Sequence, residues 1–130
     1  MATGLAPGVA TSLLDALVNQ TNYTAPTAIW LQLHVADPGV AGTTSVAGNT
    51  LRKDVTAVFS AAGSGLATND VAVTWTNVPN SEDYSHCSVW SASAAGTFYW
   101  SAVITANAVT AGDTFTLPIG DIDLTFNLAA

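Results

Sequence analysis

The sequence predicts a mainly β protein: a single-domain antiparallel β-sandwich, jelly-roll-like, with one short N-terminal helix. Three observations carry that expectation. From Ile29 onward, apolar residues recur with period two in short segments, the spacing of strands with one buried face. Turn-forming stretches rich in Gly, Ser, Asn and Asp separate these segments at roughly 8–12-residue spacing, as in sandwiches and barrels. Only one segment, close to the N-terminus, shows helical spacing.

The helix is expected over residues 7–19. Pro7 suits a first helical position, and Leu13, Leu14, Leu17 and Val18 then make one apolar stripe. "NQTNYTAPTA" ends it. The helix either caps an open end of the sandwich or forms an arm that packs on a partner. The first strand is "IWLQLHV" (29–35), which places Leu31, Leu33 and Val35 on the core face and Trp30, Gln32 and His34 opposite. Asp37-Pro38-Gly39 then turns the chain. "VTAVF" (55–59) is the second strand, and "SAAGSG" (60–65) a flexible turn. "VAVTWT" (71–76) puts Val71, Val73 and Trp75 on one face. "YSHCSVWSA" (84–92) sets Tyr84, His86, Ser88 and Trp90 against Ser85, Cys87, Val89 and Ser91. "SAAG" (93–96) reads as a hairpin turn, and "TFYWSAVI" (97–104) returns. "AGDT" turns the chain again before "FTLPI", which Pro118 demotes to an edge or bulge. "DIDLTFNL" (121–128) alternates most cleanly: Ile122, Leu124, Phe126 and Leu128 point one way, and Asp121, Asp123, Thr125 and Asn127 the other. No repeat or linker divides the chain. One domain over 1–130 is expected, with residues 1–26 as helix and arm and 27–130 as sandwich.

Composition narrows the function. The 130 residues carry nine acids and two bases, a net charge of −7, and only 8% charged residues, against roughly 25% in ordinary soluble domains. Phosphate backbones and anionic lipid surfaces both need clustered cations, so nucleic-acid and membrane partners are not expected. A surface built from Ala, Ser, Thr, Gly and Asn, in a chain with 49% apolar residues, suits burial against neighbouring proteins. No apolar run is long enough to span a bilayer. The N-terminal residues lack a basic region and are not read as a signal peptide. One cysteine, Cys87, excludes an internal disulfide framework and fits synthesis in a reducing cytoplasm. The glycosylation-like triplets at Asn19 and Asn22 are then chance matches.

Several residues are types that could carry chemistry. His34 and Asp37 lie close in sequence, but an Asp before Pro-Gly ordinarily accepts hydrogen bonds from its own turn. In "SEDYSHC" (81–87), Glu82, Asp83, His86 and Cys87 are metal-ligand types, yet the paired spacing of zinc sites is missing. Adjacent His86 and Cys87 also point to opposite faces of a strand. A triad of Asp83, Ser85 and His86 fails because triad members converge from separate elements, and no G-x-S-x-G elbow is present. Asp121 and Asp123 share a strand face. They read as a solvated or edge-protecting pair, with an intersubunit calcium site as the alternative. Trp75, Trp90 and Trp100 are expected in the core or an interface, and Trp30 is the candidate for an exposed sugar-binding ring. Nucleotide-binding motifs are missing. No catalytic, cofactor-binding or metal-ligating residue is therefore expected.

"WLQLHVADPGVAGT" resembles the opening strand and turn of a family of small virion structural proteins of tailed bacteriophages, often labelled tail-fibre or minor structural proteins. "RKDVTAVFSAAGSG", "AVTWTNVP", "DYSHCSVWSASAAGTFYWSAVI" and "VTAGDTFTLPIGDIDLTF" follow in order. The most specific pieces are "LHVADPG", "TWTN" and "AGDT", and the resemblance covers most of residues 5–128. It implies a non-enzymatic, β-rich virion component and transfers no catalytic residue. A compact chain without repeats or a stalk leads to the expectation of a capsid decoration protein. Such a protein is made in the host cytoplasm, sits on the capsid exterior, binds the major capsid protein and assembles as a homotrimer. The alternative is a minor tail or tail-fibre protein that adheres to host glycan. A cell-wall hydrolase ranks last, since no suitable carboxylate pair or metal set is found.

Overall fold

In the computed structural model, which describes residues 3–126 and 128–129, the chain is mainly antiparallel β with a single helix. Helix α1 spans Pro7–Val18, one residue shorter than expected, and begins on its proline. Strands β1 (Trp30–His34), β2 (Lys53–Asp54), β5 (Glu82–Trp90) and β6 (Phe98–Val109) form a four-stranded sheet in the order β2-β1-β5-β6. Two ribbons complete the structure: β3 (Leu66–Thr68) with β8 (Asp123–Thr125), and β4 (Val73–Trp75) with β7 (Phe115–Leu117). The core lies between sheet and ribbons. Leu31, Leu33, Cys87 and Val89 from the sheet pack with Trp75, Phe115, Leu117 and Ile122.

Expected and observed strands differ for local reasons. The expected strand at 55–59 is broken by a turn at Thr56 and Ala57, and only its end pairs, through a bridge between Phe59 and Asn69. The Asp54 carboxylate accepts the N–H of Thr56 at 2.9 Å and also its hydroxyl, which bends the chain as soon as β2 ends. Val55 still reaches the core, but through one backbone bond to Ile29 rather than a ladder. Val71 is exposed, not aligned with Val73 and Trp75. Asn69 causes this. Fully buried, it donates to the carbonyls of Val71 at 2.9 Å and Pro118 at 3.0 Å, and accepts the N–H of Ile122 at 2.9 Å. One amide thereby joins the starts of two ribbon strands. β7 ends at the residue before Pro118, on a strand with one partner, as a proline demands.

The central hairpin carries the main irregularity. Tyr84 faces Asn107 and His86 faces Val103, so Ile104, Thr105 and Ala106 stand opposite Ser85 alone. This bulge reverses the core-facing parity. Tyr84 is therefore buried with Cys87 and Val89, instead of sharing the face of His86 and Ser88. On β6, Trp100 and Ala102 are buried before the bulge, Ile104 within it and Val109 after it.

The final strand is shorter than expected. Only Asp123–Thr125 pair with β3. Ile122 is fully buried and Leu124 half-buried, whereas Phe126 is 52% and Leu128 61% exposed. The core-facing assignment of Phe126 and Leu128 is thus corrected: both lie beyond the paired residues of β8 and are exposed. Asn127 lies outside the described residues.

Candidate functional site

The expected polar candidates are mostly structural. Asp37 accepts the N–H of Gly39 at 2.7 Å, closing its own turn, and Gly39 adopts φ +75°. His34 does not join it. Instead His34 is fully buried, because the 36–50 loop folds over the face that the sequence left open. Its Nδ1–H donates to the Thr44 carbonyl at 2.8 Å, an atom that can only accept. Nε2 therefore accepts the Ser88 hydroxyl at 2.7 Å, and Ser88 Oγ accepts the Trp90 indole N–H at 2.7 Å. Burial holds the His34 pKa below its ordinary 6.5, against the opposing pull of the Thr44 carbonyl. A serine hydrogen-bonded to a neutral imidazole has the form of a nucleophile and base. Here both side chains are fully buried, so no substrate carbonyl reaches the hydroxyl.

The 81–87 segment divides similarly. The Glu82 carboxylate receives the N–H groups of Gly48 at 2.6 Å and Asn49 at 3.2 Å, pinning the same covering loop. His86 Nδ1 bonds the neighbouring Ser85 hydroxyl at 2.8 Å. Cys87 is buried on the other face, where desolvation pushes its thiol pKa up to about 12. Among the described residues no group of three His, Cys, Asp or Glu side chains converges as a metal site. Asp121 and Asp123 are not a pair on one strand. Asp121 lies in the turn before β8 and accepts both the backbone N–H of Thr105, at 3.1 Å, and its hydroxyl, at 2.6 Å. It thus satisfies the donor that the β6 bulge releases. Asp123 is exposed.

The tryptophans build the interior. Trp75 is buried and donates to the Leu51 carbonyl at 2.8 Å. Trp90 is buried beneath the Arg52 guanidinium, 4.4 Å from the ring centre, and packs on Phe98. Arg52 also donates to Gln32 and to the carbonyls of Ala92 and Ala95, so it clamps the β5–β6 turn. Trp100 packs edge-on against Phe59, and Trp30 is half-buried opposite Trp90.

One surface feature is apolar throughout. A groove of about 360 Å³ runs between α1, the sheet edge and the β3–β8 ribbon. Val9 and Leu13 line it from the helix, Tyr23 from the following loop, Trp100 from β6, and Leu124 and Phe126 from β8 and its continuation. None of its lining residues is charged. Beside the groove on α1, Leu14 is 60%, Leu17 74% and Val18 63% exposed, and no residue of the helix is buried. The expected stripe is real as a helical pattern, but Val9 and Leu13 line the groove while Leu17, one turn on, and the flanking Leu14 and Val18 are exposed. The sequence signals the stripe and misses the groove, whose walls come from segments far apart in the chain. Such a surface suits packing against another apolar surface.

Residues 5–125 match a family model described as Podophage GP4 fiber I protein gp80. No curated protein matches the chain.

Proposed function

The chain belongs to the podophage GP4 fiber I protein gp80 family, a family of phage fibre-related structural proteins, and from that premise we propose that it is a non-enzymatic component of the tail-fibre apparatus. The observation that carries this reading is the extent of the match, which leaves only short terminal segments outside it. The site geometry supports a structural role. Ser88, His34 and Cys87, the side chains best suited to catalysis, are sealed in the interior, and the large exposed feature is apolar and uncharged. The protein then acts by what it packs against, with apolar burial and shape complementarity supplying the interface.

A capsid decoration protein is the second reading. It is favoured by the absence of a stalk among the described residues, whose one helix and longest strand are each 12 residues long. Copy number separates the two. Quantitative mass spectrometry of purified virions is expected to find this chain at a few per cent of the major capsid protein. A ratio near one to one would instead place it on the head and overturn the fibre assignment.

A further inference from the structure

We infer that the outer face of α1, together with the mouth of the adjoining groove, is a self-association surface that takes a second copy of this chain. This deepens the structural reading above by naming the surface and its occupant.

The surface is continuous. Leu13 lines the groove one turn before the exposed Leu17, and Phe126 lines the same groove from the ribbon side. Leu128 follows and rests against Gly65, which also lines the groove. The patch therefore extends from the end of α1, across the groove mouth, to the chain beyond β8.

Charge decides what can sit there. The chain carries −7 overall, and one of its two cations, Arg52, is engaged in clamping the β5–β6 turn. Two copies brought together through most faces would oppose carboxylates without cations to match them. At this patch they would not. The groove walls hold no charge, and Leu124 faces the groove while Asp123 and Thr125 project to the opposite side of β8. Asp15 is the one charge on α1, and its carboxylate accepts a hydrogen bond from Asn19 at 3.0 Å. A partner matched to this patch must itself be apolar and nearly uncharged there, and the chain's own patch meets that condition.

Area agrees. Leu14, Leu17, Val18, Tyr23, Phe126 and Leu128 are exposed by 37–74%. Large apolar side chains present roughly 150–200 Å² each when fully exposed, so these six leave on the order of 600 Å² per chain. Two copies would bury about 1,200 Å² in total, at the low end of specific interfaces, which predicts reversible, concentration-dependent association.

The test is sedimentation velocity of the purified full chain over a concentration series, beside the double variant L14Q/L17Q. Gln keeps the helix propensity and the net charge, and neither leucine is in the core. Wild-type protein is expected to associate as concentration rises, while L14Q/L17Q loses roughly tenfold or more in association constant with an unchanged far-UV spectrum. Val40→Thr, at an exposed residue of another loop, should associate as wild type does. A wild-type chain that stays monomeric throughout overturns the inference, as does an L14Q/L17Q variant that associates normally. The result is independent of virion copy number, so this inference and the fibre assignment fail separately.

Discussion

His34 shows how far a residue's environment can depart from what its neighbours in sequence suggest. Alternation placed it on the outer side of a strand, where Ala substitution should be harmless. In the fold it joins the Thr44 carbonyl to Ser88 and Trp90 with no exposure. His34→Ala would leave a cavity and strip Ser88 of its acceptor, and is expected to destabilise the protein by about 2–4 kcal/mol in denaturant unfolding. Its protonation has a defined sign. The folded state lowers the pKa of a base, so below the ordinary value of 6.5 the unfolded chain binds the proton more readily. The His34 contribution to stability is therefore present above that pH and is lost as pH falls through it. Replacing His34 should flatten this part of the profile, and an unchanged slope would show that the imidazole is not held neutral.

At the scale of elements, Asp121 and Phe126 carry the informative contrasts. Asp121 satisfies the Thr105 N–H that the β6 bulge releases, whereas Asp123 stands exposed on β8. Asp121→Ala is expected to cost about 1 kcal/mol, and Asp123→Asn to stay within about 0.5 kcal/mol. Thermal melts of both variants read the difference, and equal losses would count against the capping role. Alternation along 121–128 puts Phe126 on the face of Ile122, where a charge is expected to abolish folding or incorporation. Being half exposed at the groove mouth, it should tolerate Asp with a loss of about 1 kcal/mol, while Ile122→Asp, at a fully buried position, prevents folding. Circular dichroism separates these cases. An unfolded Phe126→Asp would mean that the β8 pairing continues into the core.

For the whole molecule, net charge and the apolar patch oppose one another. A net charge of −7 per chain repels a second copy, and the exposed apolar face of α1 attracts it. Salt screens the first and leaves the second. Self-association is therefore expected to strengthen as ionic strength rises from about 0.01 M to 0.15 M, over which the screening length falls from about 30 Å to about 8 Å. Weakening over that range, read by sedimentation, would point to an interface held by ion pairs.

Local pattern alone determined that this protein is mainly antiparallel β with one N-terminal helix beginning at Pro7, that Asp37 closes its own turn, and that the segment with Pro118 is an edge or a bulge. Each depends on neighbours within a few residues, through turn chemistry, period-two burial or a missing proline N–H. Tertiary structure decided the rest. The covering loop buried His34, the bulge opposite Ser85 carried Tyr84 to the face of Cys87 and Val89, and Phe126, beyond the paired residues of β8, was left half exposed. The groove itself is assembled from α1, β6 and the β3–β8 ribbon. These outcomes depend on segments distant along the chain, and alternation within one strand cannot report what packs against its second face.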